Sequence, residues 1–202
     1  MTGWSINAAE LRIPRRSRVA AHRMVVIADP SGRAVRQLNG LASWWDEAAG
    51  IWRHKPIGYL PSDRLRGYDT KAHPRTYMPI NGAVAPNWHL APAIASGAVR
   101  VLADGLSREA AEARLAPALD ALRRINALSK GPEGGAGLPY PFLGFGRNSN
   151  SFFSTMLHAM DFEEPTFANS AVIVPGARRL LLPCETLPGA DRESRLSSSG
   201  NS

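Results

Sequence analysis

The chain has 202 residues and a formal net charge of +7, and 44% of its residues are hydrophobic. This length and composition exclude a largely disordered chain and allow one domain with a core of its own. The single cysteine excludes a disulfide framework and a cysteine-based zinc site, and the histidine spacing is not typical of metal ligands, so we expect no metal and no other cofactor.

Residues 1–16 are predicted to be an irregular lead-in. The first strand is predicted at 19–28, which is rich in Val, Ile and Ala. Residues 29–32, Asp-Pro-Ser-Gly, place each residue type where a four-residue turn favours it. A strand at 33–38 should then return antiparallel to the first one, so 19–39 is predicted to form a β-hairpin.

The segment 40–97 has an irregular pattern with many Pro, Gly, Tyr and charged residues. We predict that it is an insertion in a single domain that spans 17–186, with one short helix at 41–51. Long insertions with aromatic side chains are often binding loops, although a packed surface loop has a similar composition. Trp44 and Trp45 are therefore candidate substrate-binding residues.

A strand is predicted at 98–103, and the clearest helix in the chain is predicted at 107–129. Ser107 is a preferred N-cap residue, and Leu115 and Leu119 follow the helical period. This helix is expected to support the fold.

The Gly- and Pro-rich residues 131–146 predict a loop, and a second helix is predicted at 148–160. Two ridges of apolar side chains, spaced four residues apart, indicate that this helix is buried. Short strands are predicted at 171–174 and 180–182, and a disordered tail at 187–202.

The expected working centre is the point where the loop enters this second helix, at residues 146–152 (Gly-Arg-Asn-Ser-Asn-Ser-Phe). A side chain at a helix N-terminus lies in a positive field beside free backbone N–H groups, which favours an ionised nucleophile and stabilises an oxyanion. Serine and asparagine are also preferred N-cap residues, so Asn148 or Ser149 could equally be a helix cap.

The motif at residues 148–152, Asn-Ser-Asn-Ser-Phe, resembles the Asn-Cys-x-x-Phe motif of permuted papain-like hydrolases of the lecithin:retinol acyltransferase-like group. In that family a catalytic His on an early strand precedes the nucleophile. His22 and Ser149 follow this order, with Ser in place of the usual Cys. The motif is also similar to the Asn-Ser-Asn-Ser/Thr-Phe motif of an uncharacterised bacterial domain family. The resemblance covers the hairpin at 19–39 and the helix at 148–160. It implies an α+β fold in which a papain-like antiparallel sheet packs against a central helix.

The hairpin brings a polar partner to His22. If residues 29–32 form the turn, His22 lies directly opposite Asn39 on one face of the hairpin. Gln37 is expected on the same face, one step along the strand. A base and its orienting partner need such an arrangement, although it also suits a structural histidine in a strand.

The resemblance implies a hydrolase or acyltransferase that acts on an amide, ester or thioester bond. Ser149 would attack, His22 would take its proton and Asn39 would orient the imidazole. The supporting and oxyanion residues would be Asn148, Asn150 and Gln37, and the substrate-binding residues would be Trp44, Trp45 and Arg147. The alternative from a different class is a non-catalytic binding module on a degenerate papain-like fold, with contacts from the aromatic residues of the insertion.

Two further reactive side chains are not expected to belong to this site. His158 follows Ser149 by nine positions, about 13 Å along a helix, so it cannot act on that hydroxyl. Cys184 follows a run of leucines and is expected to be a buried thiol.

The basic residues are dispersed along the chain, which disfavours nucleic acid as a partner. A small-molecule, peptide or cell-envelope substrate is expected instead, and contact with an anionic surface is compatible with the charge. No signal-peptide pattern is visible, so we expect a cytoplasmic protein or one exported without such a signal.

Overall fold

A computed structural model of the chain describes residues 3–13, 20–55, 57–78, 89–167 and 174–187. The strands in these ranges are β1 (Trp4–Ile13), β2 (Ala20–Ala28), β3 (Ala34–Asp46), β4 (Ile51–Lys55), β5 (Arg64–Asp69), β6 (Val99–Leu106) and β7 (Leu138–Pro139). The α-helices are α1 (Leu90–Ala95), α2 (Arg108–Ala127) and α3 (Ser149–Ala159). The seven strands form one antiparallel sheet in the order β6-β1-β2-β3-β5-β7, with β4 also paired to β3. The predicted α+β class, an antiparallel sheet packed against helices, is confirmed.

The two faces of the sheet bury different parts of the chain. Val25 and Ile27 of β2 lie in the larger core with α2 and α3, whereas Met24 and Val26 lie in a smaller core with Leu90 of α1. We call these the α3 face and the α1 face. Because side chains alternate along a strand, β2 is buried on both sides.

The N-terminal residues 4–13, predicted to be irregular, instead form β1 between β2 and β6. Ile6 lies in the core of the α3 face, and Leu11 lies in the core of the α1 face. Polar residues between them obscure this strand in the sequence. One of them, Asn7, is buried, and its amide donates to the carbonyl of Val26 (3.3 Å).

Much of the predicted insertion at 40–97 belongs to the sheet, and the helix predicted at 41–51 is wrong. β3 continues through this region, and β4 and β5 both pair with it. Trp45 pairs with Trp52, and their rings meet edge to face with centroids 5.5 Å apart. Such cross-strand aromatic pairs stabilise antiparallel strands. Residues 56 and 79–88 of this segment lie outside the described residues.

The β2–β3 hairpin is confirmed, but its register differs from the prediction by two residues. Val25 pairs with Leu38, whereas the predicted turn would pair it with Arg36. The connection is longer than a four-residue turn because the Asp29 N–H donates to the carbonyl of Arg33 (3.0 Å). A two-residue shift keeps every side chain on its predicted face, since the side-chain period of a strand is two.

The predicted strand at 98–103 and both long helices are confirmed as β6, α2 and α3. Ser107 caps α2 by accepting from the N–H of Ala110 (3.1 Å). The strand predicted at 180–182 is wrong, since the Leu181 N–H donates to the Thr155 hydroxyl (2.9 Å) and Leu181 packs in the core. Residues 168–173 and 188–202, which include most of the strand predicted at 171–174 and nearly all of the predicted tail, lie outside the described residues.

No helix in the described part of the chain combines the length and the apolar character needed to cross a membrane.

Candidate functional site

The predicted working centre begins with Asn148, which is the N-cap of α3. Its side-chain oxygen accepts from the N–H of Asn150 (2.8 Å) and of Ser151 (3.4 Å), and the Ser151 hydroxyl accepts from the Asn148 N–H (3.2 Å). Its side-chain NH₂ donates to the carbonyls of Pro175 (2.9 Å) and Gly144. The bonds between Asn148 and Ser151 form a capping box. The Asn148 carboxamide, which was predicted to support an oxyanion, therefore bonds to backbone groups at the start of the helix.

Asn150 joins the start of α3 to β2. Its side-chain oxygen accepts from the Arg23 N–H (3.0 Å), and its NH₂ donates to the carbonyls of Ala21 (3.0 Å) and Pro175 (3.1 Å). β3 pairs with β2 only from Val25 onward, so this carboxamide bonds the part of β2 that β3 no longer reaches. Asn150 therefore replaces a strand neighbour, and both residues that flank His22 are held by it.

Ser149, the predicted nucleophile, lies against Tyr140. The tyrosine oxygen is hydrogen-bonded to both the hydroxyl and the backbone N–H of Ser149, and Ser149 is 6% exposed. Burial raises the pKa of Tyr140, although the bonds from Ser149 oppose this, so the phenol is neutral at pH 7. The backbone N–H groups at the start of α3 thus bond to Tyr140 and Asn148.

His22 makes the predicted contact with Asn39. Its Nε2 lies 3.4 Å from the Asn39 side-chain oxygen, and the Asn39 NH₂ donates to the side-chain oxygen of Gln37 (3.1 Å) and to the carbonyl of Thr76 (3.0 Å). Because the Asn39 oxygen can only accept, the network assigns the hydrogen to Nε2. The Nδ1 atom is buried and has no hydrogen-bond partner among the described residues. Burial lowers the pKa of His22 to about 4, although the bond to Asn39 opposes this, so the ring is neutral at pH 7.

His22 and Ser149 lie at the same end of β2 but do not bond to each other. The alternation of side chains places His22 on the α1 face with Met24, whereas α3 packs on the opposite face. The imidazole bonds to Asn39, and the serine hydroxyl bonds to Tyr140. The contact between base and orienting residue is therefore present without a bond between nucleophile and base, and the catalytic roles stay predictions.

The predicted substrate-binding residues lie in different places. Arg147 is exposed beside the start of α3. Trp45 packs on Trp52 within the sheet. Trp44 lines a groove that runs between β3, β4, β5 and the segment that follows β5.

This groove, here called the aromatic groove, has a volume of about 430 Å³. Its side chains are aromatic, imidazole or cationic in the main, and none of the described residues that line it is acidic. The members that carry its chemistry are Trp44, Trp52, Arg53, His54, Tyr68, His73 and Arg75.

Tyr68 is the centre of the aromatic groove. Its ring lies 5.9 Å from that of His54 and 5.6 Å from that of His73, between centroids, and its hydroxyl bonds to Ser43 Oγ (2.7 Å). Burial lowers the pKa of His54 even though the imidazole bonds to the carbonyl of Arg75. His54 is therefore neutral at pH 7 and contributes a polar ring to the wall.

Trp52 supplies a free donor to this part of the sheet. The Arg66 guanidinium lies 4.2 Å from its ring centroid, which positions the indole by a cation–π contact. The indole Nε1–H is buried, and no described residue accepts from it. A buried N–H without an acceptor costs free energy, so this donor is unsatisfied in the structure.

Tyr140 and the groove residues His54 and His73 are absent from the sequence-based candidates, whereas Tyr68 is one of the aromatic residues of the insertion that the binding-module alternative expected to supply contacts. The alternation Trp52-Arg53-His54 is the signal that could have placed Trp52 and His54 on one face, had the segment been identified as a strand. Tyr140 lies in a Pro-Tyr-Pro loop and reaches Ser149 only through the fold, so no local pattern indicates its role.

No protein-family model, curated protein or solved structure matches this chain. The resemblance to permuted papain-like hydrolases therefore rests on the motif and the order of its residues, and the papain-like topology stays a prediction. Among the residues that the structure describes, no group of three or more His, Cys, Asp or Glu side chains could hold a metal ion.

Proposed function

We propose that this protein is a binding module whose aromatic groove takes an anionic ligand with a planar or apolar face. The observation that carries the proposal is the chemistry of the groove, in which aromatic rings and cationic groups line one open depression without a described carboxylate. Aromatic faces stack on planar or apolar ligand surfaces, and arginine recognises anions such as carboxylate and phosphate.

Charge in the groove favours a negative ligand. Arg75 is exposed on the lining, whereas Arg53 is bonded to Asp46 (2.7 Å). Arg75 is therefore the lining cation that a ligand can engage without displacing the carboxylate of Asp46.

The test is a titration of the full chain with naphthalene sulfonate, a planar anion, followed by tryptophan fluorescence. Arg75→Ala should weaken binding about fivefold, since an exposed ion contact contributes about 1 kcal/mol. Arg147→Ala is the matched control, because Arg147 is an exposed arginine at the other predicted site. Naphthalene sulfonamide, which lacks the charge, should bind the native protein and Arg75→Ala equally. Weakening by Arg147→Ala alone would move the ligand to the start of α3 and contradict the proposal.

A second candidate function is the serine-dependent hydrolase or acyltransferase implied by the motif. The observation that favours it is the His22 imidazole, which carries its hydrogen on Nε2 toward Asn39 and leaves the Nδ1 lone pair free among the described residues. An orienting amide on one ring nitrogen and a free lone pair on the other are what a general base needs. To reach it, Ser149 would have to leave Tyr140 and pass the edge of β2, because His22 lies on the face of the sheet opposite to α3.

A fluorophosphonate probe, which labels activated serines, separates this candidate from the binding module. Labelling of the native protein that is lost in both Ser149→Ala and His22→Gln supports the hydrolase. Tyr140→Phe should then raise labelling, because it frees the Ser149 hydroxyl. Labelling that persists in Ser149→Ala excludes Ser149 as the nucleophile.

A further inference from the structure

The far end of α3 carries a thiol–imidazole pair that the sequence does not reveal. Cys184 Sγ lies 3.1 Å from His158 Nε2, within hydrogen-bond distance for sulfur, and both residues are half-buried. The sequence predicts that Cys184 is a buried thiol. It also predicts that His158 lies too far along the helix to act on the Ser149 hydroxyl. The structure instead brings the only cysteine of the chain to an imidazole 26 positions away.

The segment that holds Cys184 is anchored on both sides. Leu181 and Leu187 are buried in the core of the α3 face, and the Arg124 guanidinium donates to the carbonyl of Thr186. These contacts limit the movement of the thiol and hold it beside the helix.

His158 lies in the last turn of α3. Its Nε2 atom, 3.1 Å from Sγ, is close enough to take the thiol proton as sulfur attacks an electrophile, which is the activation that a cysteine nucleophile needs.

We propose that Cys184 and His158 form a reactive-thiol site that hydroperoxides oxidise. Sulfur attacks the terminal peroxide oxygen, so an S–O bond forms while the O–O bond breaks. His158 takes the thiol proton and passes it to the departing oxygen, which leaves as water or an alcohol. Sulfur is oxidised by two electrons to a sulfenic acid, and the peroxide is reduced by the same two electrons. This reaction needs a thiol, a base and a proton donor, and the pair supplies all three.

The chain has one cysteine, so the sulfenic acid has no second thiol in the same molecule. It would condense with an external low-molecular-weight thiol, in which an S–S bond forms and water leaves. The expected product is a mixed disulfide at Cys184, which a reducing agent reverses.

The experiment measures the rate at which the native full chain reacts with iodoacetamide and with hydrogen peroxide, by intact mass. His158→Gln should slow both reactions about tenfold or more, because general-base assistance contributes at least that much. Cys184→Ser should abolish the iodoacetamide adduct and the part of the peroxide product that dithiothreitol reverses, since oxygen added to methionine is not reversed by dithiothreitol. His89→Gln is the control, since it removes another imidazole, exposed beside the start of α1 and without a bond to Cys184, and its rates should equal the native ones.

Equal rates for His158→Gln and the native protein would overturn the proposal. Should far-UV circular dichroism show that His158→Gln does not fold, the native thiol is compared with the same thiol in denaturant. Faster reaction in the folded protein supports the site, and faster reaction in the denatured protein overturns it. Peroxide treatment followed by glutathione should add one glutathione that dithiothreitol removes, and failure to add it contradicts the proposed fate of the sulfenic acid.

Discussion

At the residue scale, two amide side chains hold the start of α3 in place. Asn148 bonds to backbone groups beside the helix N-terminus, and Asn150 bonds to backbone groups at the edge of β2. Each residue uses both its side-chain oxygen and its side-chain nitrogen. A carboxamide suits these positions because it carries a donor and an acceptor on one rigid plane. Replacement by a side chain with only one of these functions leaves buried backbone groups without partners.

Asn150→Asp tests this role with almost no change in shape. The carboxylate can still accept from the Arg23 N–H but cannot donate to the carbonyls of Ala21 and Pro175. We expect a loss of about 2 kcal/mol in the free energy of unfolding, measured by urea denaturation, because the buried Ala21 carbonyl loses the Asn150 donor and the Pro175 carbonyl keeps only the Asn148 donor. The neighbouring exposed Arg147→Ala should change it by less than about 0.5 kcal/mol. An unchanged stability in Asn150→Asp would show that the carboxamide is dispensable.

His22 makes stability depend on pH. Its pKa is about 4 in the folded protein because of burial, against the ordinary value of 6.5 that the imidazole has in an unfolded chain. Between these values the unfolded chain takes up a proton that the folded protein does not. The contribution of the neutral His22 imidazole to the free energy of unfolding is therefore complete above pH 6.5, falls as the pH falls, and is lost near pH 4.

The predicted size of this effect is about 3 kcal/mol between the two pKa values. Urea denaturation at a series of pH values should show the native protein losing that much more stability than His22→Gln on acidification. The glutamine removes the titration and retains an amide that can reach Asn39. Parallel pH curves for the two proteins would contradict the buried neutral imidazole.

At the scale of elements, α3 approaches the sheet closely because two glycines lie beneath it. A Cβ added to Gly40 of β3 would lie 2.5 Å from Phe152 Cβ, and one added to Gly67 of β5 would also meet the Phe152 ring. Phe152 is fully buried. The glycines therefore set the distance at which the helix start reaches β2 and β3.

Gly40→Ala should destabilise the fold by about 1–3 kcal/mol, because the added methyl group has no space in the packed core. Thermal or urea denaturation measures this. Combining Gly40→Ala with Phe152→Leu should cost less than the sum of the two single changes, since the smaller side chain makes room. Additive costs would show that the methyl group does not meet Phe152.

At the scale of the whole molecule, the sheet separates the main core, on its α3 face, from two chemically different regions that adjoin each other. One is the buried pair His22 and Asn39 on the α1 face. The other is the aromatic groove, since Asn39 pairs with Tyr68 and donates to the carbonyl of Thr76, and both of these residues line the groove. The net charge of +7 attracts anions to the molecule, and the range of this attraction becomes shorter as the salt concentration rises.

Binding of naphthalene sulfonate to the groove should therefore weaken as sodium chloride rises, because the Debye length falls from about 10 Å at 0.1 M to about 3 Å at 1 M. Binding of the uncharged sulfonamide should not weaken. Fluorescence titrations at several salt concentrations measure the difference. Equal salt dependence for the two ligands would show that charge does not contribute to binding in the groove.

The hairpin, α2 and α3 could be predicted from the sequence because local signals specify them. A turn sequence marks the hairpin, Ser107 caps one helix, and Asn148 caps the other. The contact between His22 and Asn39 was predicted despite a wrong register, since a two-residue shift preserves the face of each side chain. β1 and β4 were missed because polar residues interrupt their apolar pattern, and strand formation depends on neighbours far away in the sequence.

Local sequence alone specified where α3 begins, which two residues could cap it and which strand carries His22. The packing of the whole chain decided that Ser149 bonds to Tyr140, that Asn150 completes the edge of β2, and that Cys184 meets His158. The physical reason is the distance along the chain between the residues that interact. Caps and turns are set by residues within a few positions of one another, whereas these contacts join segments that only the packing of the sheet and α3 brings together.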